Sequence, residues 1–408
     1  MKGFSFLILR DRAGLLQCVV DDSVVPEPLA LRNETAVELV GTVKEDKRAP
    51  QGAEVTVEKM RVVAPCLEER PPFELNLKNH EVTAALDVIL EHRPVSLRNE
   101  KLRAVFKIQN EIAWAFRTYL REQGFAEIRT PKIVASGTEG GTALFKLEYF
   151  EREAFLAQSP QFYKQMLVGA GFERVYETGF VYRAEEHNTA RHLNEYYSMD
   201  LEMGFIRDEQ DVMDTEAGLL TFLFDHIREA CAEDLALFGA TPPSVGGKIP
   251  RLRLDEAKKT LAGRYDKRYP EGEDLDPEGE RLICRWAQEE LGSELVFLTH
   301  YPVAKRPMYT MPDSDDPMLT RSFDLIYKGL EITTGGQRIN DHDQLAESIS
   351  RRGLDPKDFD FYLEIFRYGM PPHGGLAIGL ERITAQLLGL TNVREASFFP
   401  RDRTRITP

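Results

Sequence analysis

Phe180-Val181-Tyr182-Arg183-Ala184-Glu185-Glu186-His187-Asn188-Thr189-Ala190-Arg191-His192-Leu193-Asn194-Glu195 packs two arginines, two histidines and three carboxylates between apolar runs. The flanks, Arg174 to Tyr182 and Tyr196 to Ile206, are rich in Val, Tyr, Phe, Met and Ile. Such residues suit a pleated, half-buried surface, so the pattern predicts an antiparallel hairpin closed by a long polar loop. A turn alone does not need so many charges. Exposed ion pairs on a solvated loop are one reading. The other is a set of fixed charges facing an anionic ligand, because Arg183 ends an apolar strand and a guanidinium held there needs a permanent anionic partner.

A second stretch separates the two readings. Gly374-Gly375-Leu376-Ala377-Ile378-Gly379-Leu380-Glu381-Arg382 is a glycine-punctuated apolar strand running into the helical pattern Ile383 to Leu388. Together the stretches resemble motifs 2 and 3 of the class II aminoacyl-tRNA synthetases. The first reads F-x-x-R-x-E, and the second G-x-G-x-E-R with Ala377 in place of its first spaced glycine. The resemblance implies an α+β chain: an N-terminal OB-fold β-barrel, then a class II catalytic domain built on an antiparallel sheet flanked by helices.

Composition sets the outer bounds. With 408 residues, 42% hydrophobic and 29% charged, the chain has room for two ordinary cores. No apolar run approaches the ~20 residues that cross a bilayer, and the N-terminus lacks a signal-peptide pattern, so a cytoplasmic protein is expected. Cys18, Cys66, Cys231 and Cys284 lie scattered without C-x-x-C spacing, which argues for free thiols rather than zinc or disulfides. A net charge of -15 is awkward for a nucleic-acid binder. The acid is concentrated between Asp208 and Glu294, however, away from the candidate sites.

Residues 1 to about 66 read as short strands, Phe4 to Leu9, Leu15 to Val20, Ala36 to Lys44 and Glu54 to Val63, suggesting a small β-barrel. Phe4 to Gln17 resembles the anticodon-binding OB-fold of aspartyl-, asparaginyl- and lysyl-tRNA synthetases. By that resemblance Phe6 offers a ring to an unstacked base, Gln17 an amide to a base edge and Arg10 a nearby contact, while Phe6 as barrel filling stays open. Relative to that family a first strand and a basic turn are missing before Met1, so a start set downstream of the true one is expected, the alternative being a barrel short of one strand with an exposed sheet edge. The domains are expected at 1–68 (OB-fold), 69–97 (hinge, with a helical pattern Val82 to Leu90) and 98–408 (catalytic).

Leu102, Val105, Phe106, Gln109, Ile112, Phe116, Tyr119 and Leu120 recur at helical steps up to Gly124, and a strand is predicted over Ala126 to Val134 despite Pro131. Long helix, strand and proline resemble motif 1, which implies a homodimer; an ordinary core helix shares these features. Ser136 to Thr142 is glycine-rich with a single carboxylate, and the family's flipping loop implies that Glu139 closes on the substrate ammonium group together with Gln161. Lys164 sits on the first turn of a helix opened by Pro160, where a cation is unfavourable unless an anion faces it. Aspartyl-tRNA synthetases have lysine at this point for the aspartate side chain, and Asp200 matches the carboxylate that orients it. Asparaginyl enzymes lack it, since a neutral amide leaves an ammonium group unpaired.

Between Asp208 and about Arg306 no motif is visible, and Glu271 to Glu280 reads as loop. Beyond it, Asp324 and Glu331 flank an apolar run with a tight turn at Lys328-Gly329, and two carboxylates on neighbouring strands suit one hard cation. The resemblance implies Mg²⁺ with ATP on Asp324, Glu331 and Thr334, and Arg338 gripping the aspartate carboxylate. It further implies ATP held by Arg183, Glu185, Arg191, His192, Leu193, Glu331, Gly379, Leu380, Glu381 and Arg382, with Arg183 and Arg382 catalytic. The basic tail Phe398 to Pro408 is expected to be ordered. The implied activity is ATP-dependent ligation of L-aspartate to tRNA(Asp), with tRNA(Asn) left open. An asparaginyl-tRNA synthetase, an adenylate-using asparagine-forming relative and a catalytically silent tRNA-binding paralogue are the rival readings.

Overall fold

The computed structural model describes residues 3–21, 31–49, 52–75, 81–137, 143–186, 188–246, 248–270 and 272–408. The chain divides into two compact units, Met1–Arg103 and Ala104–Pro408.

In the first unit β1 (Phe4–Arg10), β2 (Leu15–Asp21), β3 (Ala36–Glu45) and β4 (Ala53–Ala64) form one sheet in the order β1-β2-β4-β3. Alternation along β1 buries Leu7 and Leu9 against Cys18, Val20 and Val57, and turns Phe4, Phe6 and Ile8 outward. Phe6 is 62% exposed, so its ring does not fill the core. β1 is an edge strand. The helix expected over Val82 to Leu90 is shorter: α1 (Leu86–Glu91) begins only after the β-branched pair Val82-Thr83, and α2 (Arg93–Ser96) follows.

α3 (Glu100–Glu122) is the predicted long amphipathic helix, and Gly124 ends it at φ +78°. The unit boundary falls within it rather than at Leu97. The single strand predicted over Ala126 to Val134 is two fragments in different sheets, β5 (Ala126–Glu127) and β6 (Ile133–Val134). Pro131 has no N–H to give a ladder, and the chain changes sheet there. β7 (Lys146–Tyr149) and β8 (Arg152–Leu156) join β6 in a small sheet, and α4 (Gln161–Leu167) follows.

The large sheet takes β9 (Arg174–Tyr182) and β10 (Glu195–Gly204), the predicted hairpin. After α5 (Glu209–Ala230) and α6 (Ala232–Ala236) come β11 (Arg251–Arg253), α7 (Leu254–Tyr265), α8 (Pro277–Leu291), β12 (Leu295–Thr299), β13 (Ser322–Tyr327) and β14 (Leu330–Arg338). α9 (His342–Arg351) and α10 (Asp360–Leu363) precede β15 (His373–Gly379) and α11 (Leu380–Leu388). The strand order is β11-β12-β13-β14-β15-β10-β9-β5. The six middle strands are antiparallel, but β11 lies parallel to β12 and β5 parallel to β9, so the sheet is mixed rather than antiparallel throughout.

Register decides what each face carries. Directly paired residues share a face, so Thr334, Ala377 and Asp200 form one row across β14, β15 and β10, and Gly336, Gly375 and Glu202 the next. α3 and α5 cover the opposite face, through Phe116 on Tyr176 and Phe224 near Tyr327. α7 and α8 pack with Val296, Leu298 and Ile326 on the same face as the Thr334 row. The region 208–306 thus reaches the working side of the sheet.

Candidate active site

That face is hollow because its central residues are small. Gly375, Ala377 and Gly379 alternate along β15 opposite Glu202, Asp200 and Ser198 on β10. A cavity of about 420 Å³ opens over them, lined among others by Gln161, Arg183, Glu185, Arg191, His192, Leu193, Glu331, Thr334, Arg338, Gly379, Glu381 and Arg382. A methyl group on Gly375 would stand 2.2 Å from the Leu201 carbonyl and 2.3 Å from Glu202 Oε2, so only glycine fits there.

One end of the cavity is a neutral knot of charges. Arg338 Nε donates to Glu202 Oε1 at 2.9 Å, and a terminal nitrogen of Arg338 donates to the Gly375 carbonyl at 2.9 Å. Lys164 Nζ donates to Asp200 Oδ1 at 2.9 Å and to the Leu201 and Leu376 carbonyls at 3.3 Å, with Glu202 at 3.5 Å. The anion facing Lys164 is therefore internal: the ammonium group is buried one layer behind the cavity wall, whereas Arg338 borders the cavity itself. Burial pushes the Glu202 carboxyl up, and Arg338 and Lys164 reverse that and hold it below the ordinary carboxylate value. His373 beside it is kept neutral, its pKa pushed down to about 4 by burial. Two cations thus meet two carboxylates, and Gln161 donates to Glu202 at 3.2 Å from the helix above. Glu139 lies outside the described residues.

The other end carries further cations. Arg183 lies 3.7 Å from Glu185 and its guanidinium stands 5.7 Å from the centre of the Tyr196 ring. Arg382 donates to the Glu331 carbonyl at 3.0 Å and its carboxylate at 3.3 Å. Arg191 pairs with Glu280, and His192 Nδ1 meets the Thr189 hydroxyl at 2.7 Å. Leu193 packs on Ala385 and Val393, which fixes the loop's exit. Glu381 also borders the cavity, but its carboxyl is engaged by the backbone: both its oxygens accept the Tyr197 N–H at 3.1 Å, and burial pushes its pKa up to about 8. Leu380 is buried and off the cavity wall.

Comparison with known proteins places the chain in a family. The model of class II tRNA synthetases (D, K and N) matches residues 85–403, and an OB-fold nucleic acid binding domain matches residues 1–63. The chain belongs to the class II tRNA synthetases. It is 50% identical over 403 residues to the aspartate--tRNA(Asp/Asn) ligase of Thermus thermophilus, covering 99% of this chain and 92% of that one. To the aspartate--tRNA(Asp) ligase of Pyrococcus abyssi it is 42% identical, with 100% and 93% covered. An asparaginyl-tRNA synthetase from Pyrococcus horikoshii, solved with asparaginyl-adenylate, superposes with a TM-score of 0.92 at 32% identity, covering 100% of this chain and 93% of that one.

The carboxylates expected to hold a metal in this synthetase are only partly open. Asp324 and Thr334 pair directly across β13 and β14, and the register shift at Ile332 brings Glu331 onto their face. Thr334 donates to Glu331 at 3.0 Å. Asp324 Oδ2, however, accepts from Arg306 at 2.7 Å, because a carboxylate this buried needs a counter-charge. Burial pushes Asp324 up to about 6 even so, and its Oδ1 has no hydrogen-bond partner among the described residues. Among those residues no group of three or more His, Cys, Asp or Glu gathers to hold a free metal ion. Asp324, Glu331 and Thr334 fit a hard cation that arrives with phosphate oxygens already attached.

Several contributors carried no motif. Glu202 was legible from Ser198-x-Asp200-x-Glu202, three polar residues at period two in an apolar strand. Arg306 and Glu280 lie in the region assigned no chemistry. α8 begins within the stretch read as loop, at an Asp276 cap followed by Pro277, and that pair is itself a helix-start signal. In the first unit Arg10 pairs with Glu34, and Gln17 donates to Glu54 at 3.0 Å, so of the three residues expected at an anticodon only Phe6 presents its side chain outward.

Proposed function

We propose that this synthetase activates L-aspartate with ATP, giving aspartyl-adenylate and pyrophosphate, and transfers the aspartyl group to a terminal ribose hydroxyl of tRNA. The observation carrying the reading is the guanidinium of Arg338 on the cavity wall, linked through Glu202 to buried Lys164. A substrate side-chain carboxylate reaching Arg338 there gains a charge-assisted contact with the guanidinium that a neutral amide does not match. Gln161 and Glu139 take the ammonium group, and Asp200 orients Lys164.

Arg183 bridges the attacking α-carboxylate and the α-phosphate, where negative charge grows in the transition state. Arg382 stacks on adenine and reaches the outer phosphates, Arg191 and His192 meet those phosphates, and Glu185 accepts from the adenine amino group. None of these groups forms a covalent intermediate; they position reactants and neutralise charge. Asp324, Glu331 and Thr334 would hold the Mg²⁺ that arrives with ATP, which would supply further neutralisation at the phosphates. No helix among the described residues is long and apolar enough to cross a membrane, and we place the enzyme in the cytoplasm. Half-exposed Trp114, Ile133 and Phe180 support a homodimer through α3 and the Pro131 segment.

The relative at 50% identity is named for both tRNA(Asp) and tRNA(Asn), and we extend that dual charging to this chain. Pyrophosphate exchange with aspartate and with asparagine tests the amino acid; exchange with aspartate alone is expected, and exchange with asparagine alone refutes the reading. Charging of both tRNA transcripts tests the dual use, which fails if only tRNA(Asp) accepts aspartate.

A further inference from the structure

The polar loop between β9 and β10 supplies Glu185, Arg191 and His192 to the cavity, yet it is not held only by its own strands. The chain after α11 grips it from outside. Arg394, in the 3-10 turn Val393–Ala396, donates through Nε to Asp402 Oδ2 at 2.5 Å. Its terminal nitrogens reach the loop, at the Asn188 side-chain oxygen and at the Thr189 carbonyl, 3.5 Å away. Asp402 in turn closes the tail: its Oδ1 accepts the Thr404 N–H at 2.8 Å, the Thr404 hydroxyl at 2.9 Å and the Arg405 N–H at 2.9 Å. Both partners are shielded, with side chains 12% and 6% exposed.

Backbone contacts run alongside. The Val393 N–H donates to the Ala190 carbonyl at 2.9 Å, and the Asn194 N–H to the Arg401 carbonyl at 2.9 Å. Arg403 adds a bond to the Glu186 carbonyl at 3.2 Å. The loop is thus held at 186, 188, 189, 190 and 194 by one short C-terminal segment whose two halves are joined by the Arg394 to Asp402 pair.

We infer that Arg394, braced by Asp402, is a positioning residue that keeps the β9–β10 loop in its nucleotide-binding form. Its side chain is not part of the cavity wall. Ordering a polar loop costs conformational entropy for every residue fixed, and without the clasp that cost falls on each binding event. Charge-assisted bonds to the loop lower the cost in advance. The inference rests on the reading of this cavity end as the ATP site.

The test uses the full chain with Arg394→Ala, Arg394→Lys and Asp402→Asn, each measured in aspartate-dependent pyrophosphate exchange, by thermal melting, and by the rate at which trypsin cuts after Arg183 and Arg191. The expected result for Arg394→Ala is a KM for ATP raised about tenfold, an unchanged KM for aspartate, a Tm within a few degrees of the parent and faster cleavage in the loop. Arg394→Lys recovers part of the ATP effect, and Asp402→Asn follows Arg394→Ala in direction. An unchanged KM for ATP, or both KM values rising together with a falling Tm, overturns the inference. If the parent enzyme shows no exchange with aspartate the functional reading fails, and the trypsin rates then decide the clasp alone: faster loop cleavage in Arg394→Ala supports it, and unchanged cleavage overturns it.

Discussion

Lys164 and Arg338 both lean on Glu202, so neither acts as an isolated charge. Lys164→Leu removes one cation and leaves Asp200 and Glu202 short of positive charge in a buried place. Truncating one partner of a buried charge pair costs about 2–5 kcal/mol, so aspartate-dependent exchange should fall roughly 30-fold or more. ATP binding, measured separately by calorimetry, should stay near its original value; equal loss of both contradicts the assignment. Glu216 on α5 poses the opposite case. It is fully buried, its carboxyl has no well-formed hydrogen bond among the described residues, and burial pushes its pKa up to about 8, with the Thr333 hydroxyl offsetting only part of that. Folded protein therefore keeps this proton between about pH 4.5 and 8 while unfolded chain releases it, so this group lowers stability as pH rises through that window. Glu216→Gln should melt like the parent near pH 5 and a few degrees above it near pH 8; a gap that is constant with pH contradicts the shift.

Elements set how close backbones come, and two glycines of β15 make separable predictions. A Cβ at Gly375 strikes the Leu201 backbone, so Gly375→Ala should lower stability by about 1–3 kcal/mol with activity lost alongside. A Cβ at Gly379 has the Arg382 side chain as its nearest neighbour, at an ordinary contact distance of 3.6 Å, so Gly379→Ala should leave Tm intact and raise the KM for ATP severalfold by crowding the nucleotide. Thermal melting with exchange kinetics separates them, and a matching loss of Tm in both variants contradicts it. The hairpin β9–β10, the long helix α3 and the strand-to-helix passage β15–α11 were readable from periodicity and glycine spacing. Pro131 is visible too, but nothing local to it shows that the chain passes to another sheet there. Asp276-Pro277 announced α8, yet the surrounding acidity looked like loop. The pairing of Asp324 with Arg306 spans 18 residues and depends on strand register, which no local pattern encodes.

At the scale of the whole chain, a net charge of -15 must coexist with binding a polyanion. An exposed aromatic edge answers part of this, because stacking on bases needs no positive charge. Phe6→Ala should weaken tRNA binding by about 1–3 kcal/mol while exchange without tRNA is unaffected; unchanged tRNA affinity in a filter-binding assay assigns the ring no such role. What the sequence alone could not supply was the charge balance of the amino-acid end, since it needs Glu202, Lys164 and Arg338 assembled from three elements. That balance, two cations against two carboxylates with the Arg338 guanidinium bordering the cavity, is the centre of the account. Calorimetry with the sulfamoyl-adenosine mimics of aspartyl- and asparaginyl-adenylate measures it directly. The aspartyl mimic should bind about 100-fold tighter or more, whereas equal affinities, or preference for the asparaginyl mimic, would contradict a pocket built for a side-chain carboxylate.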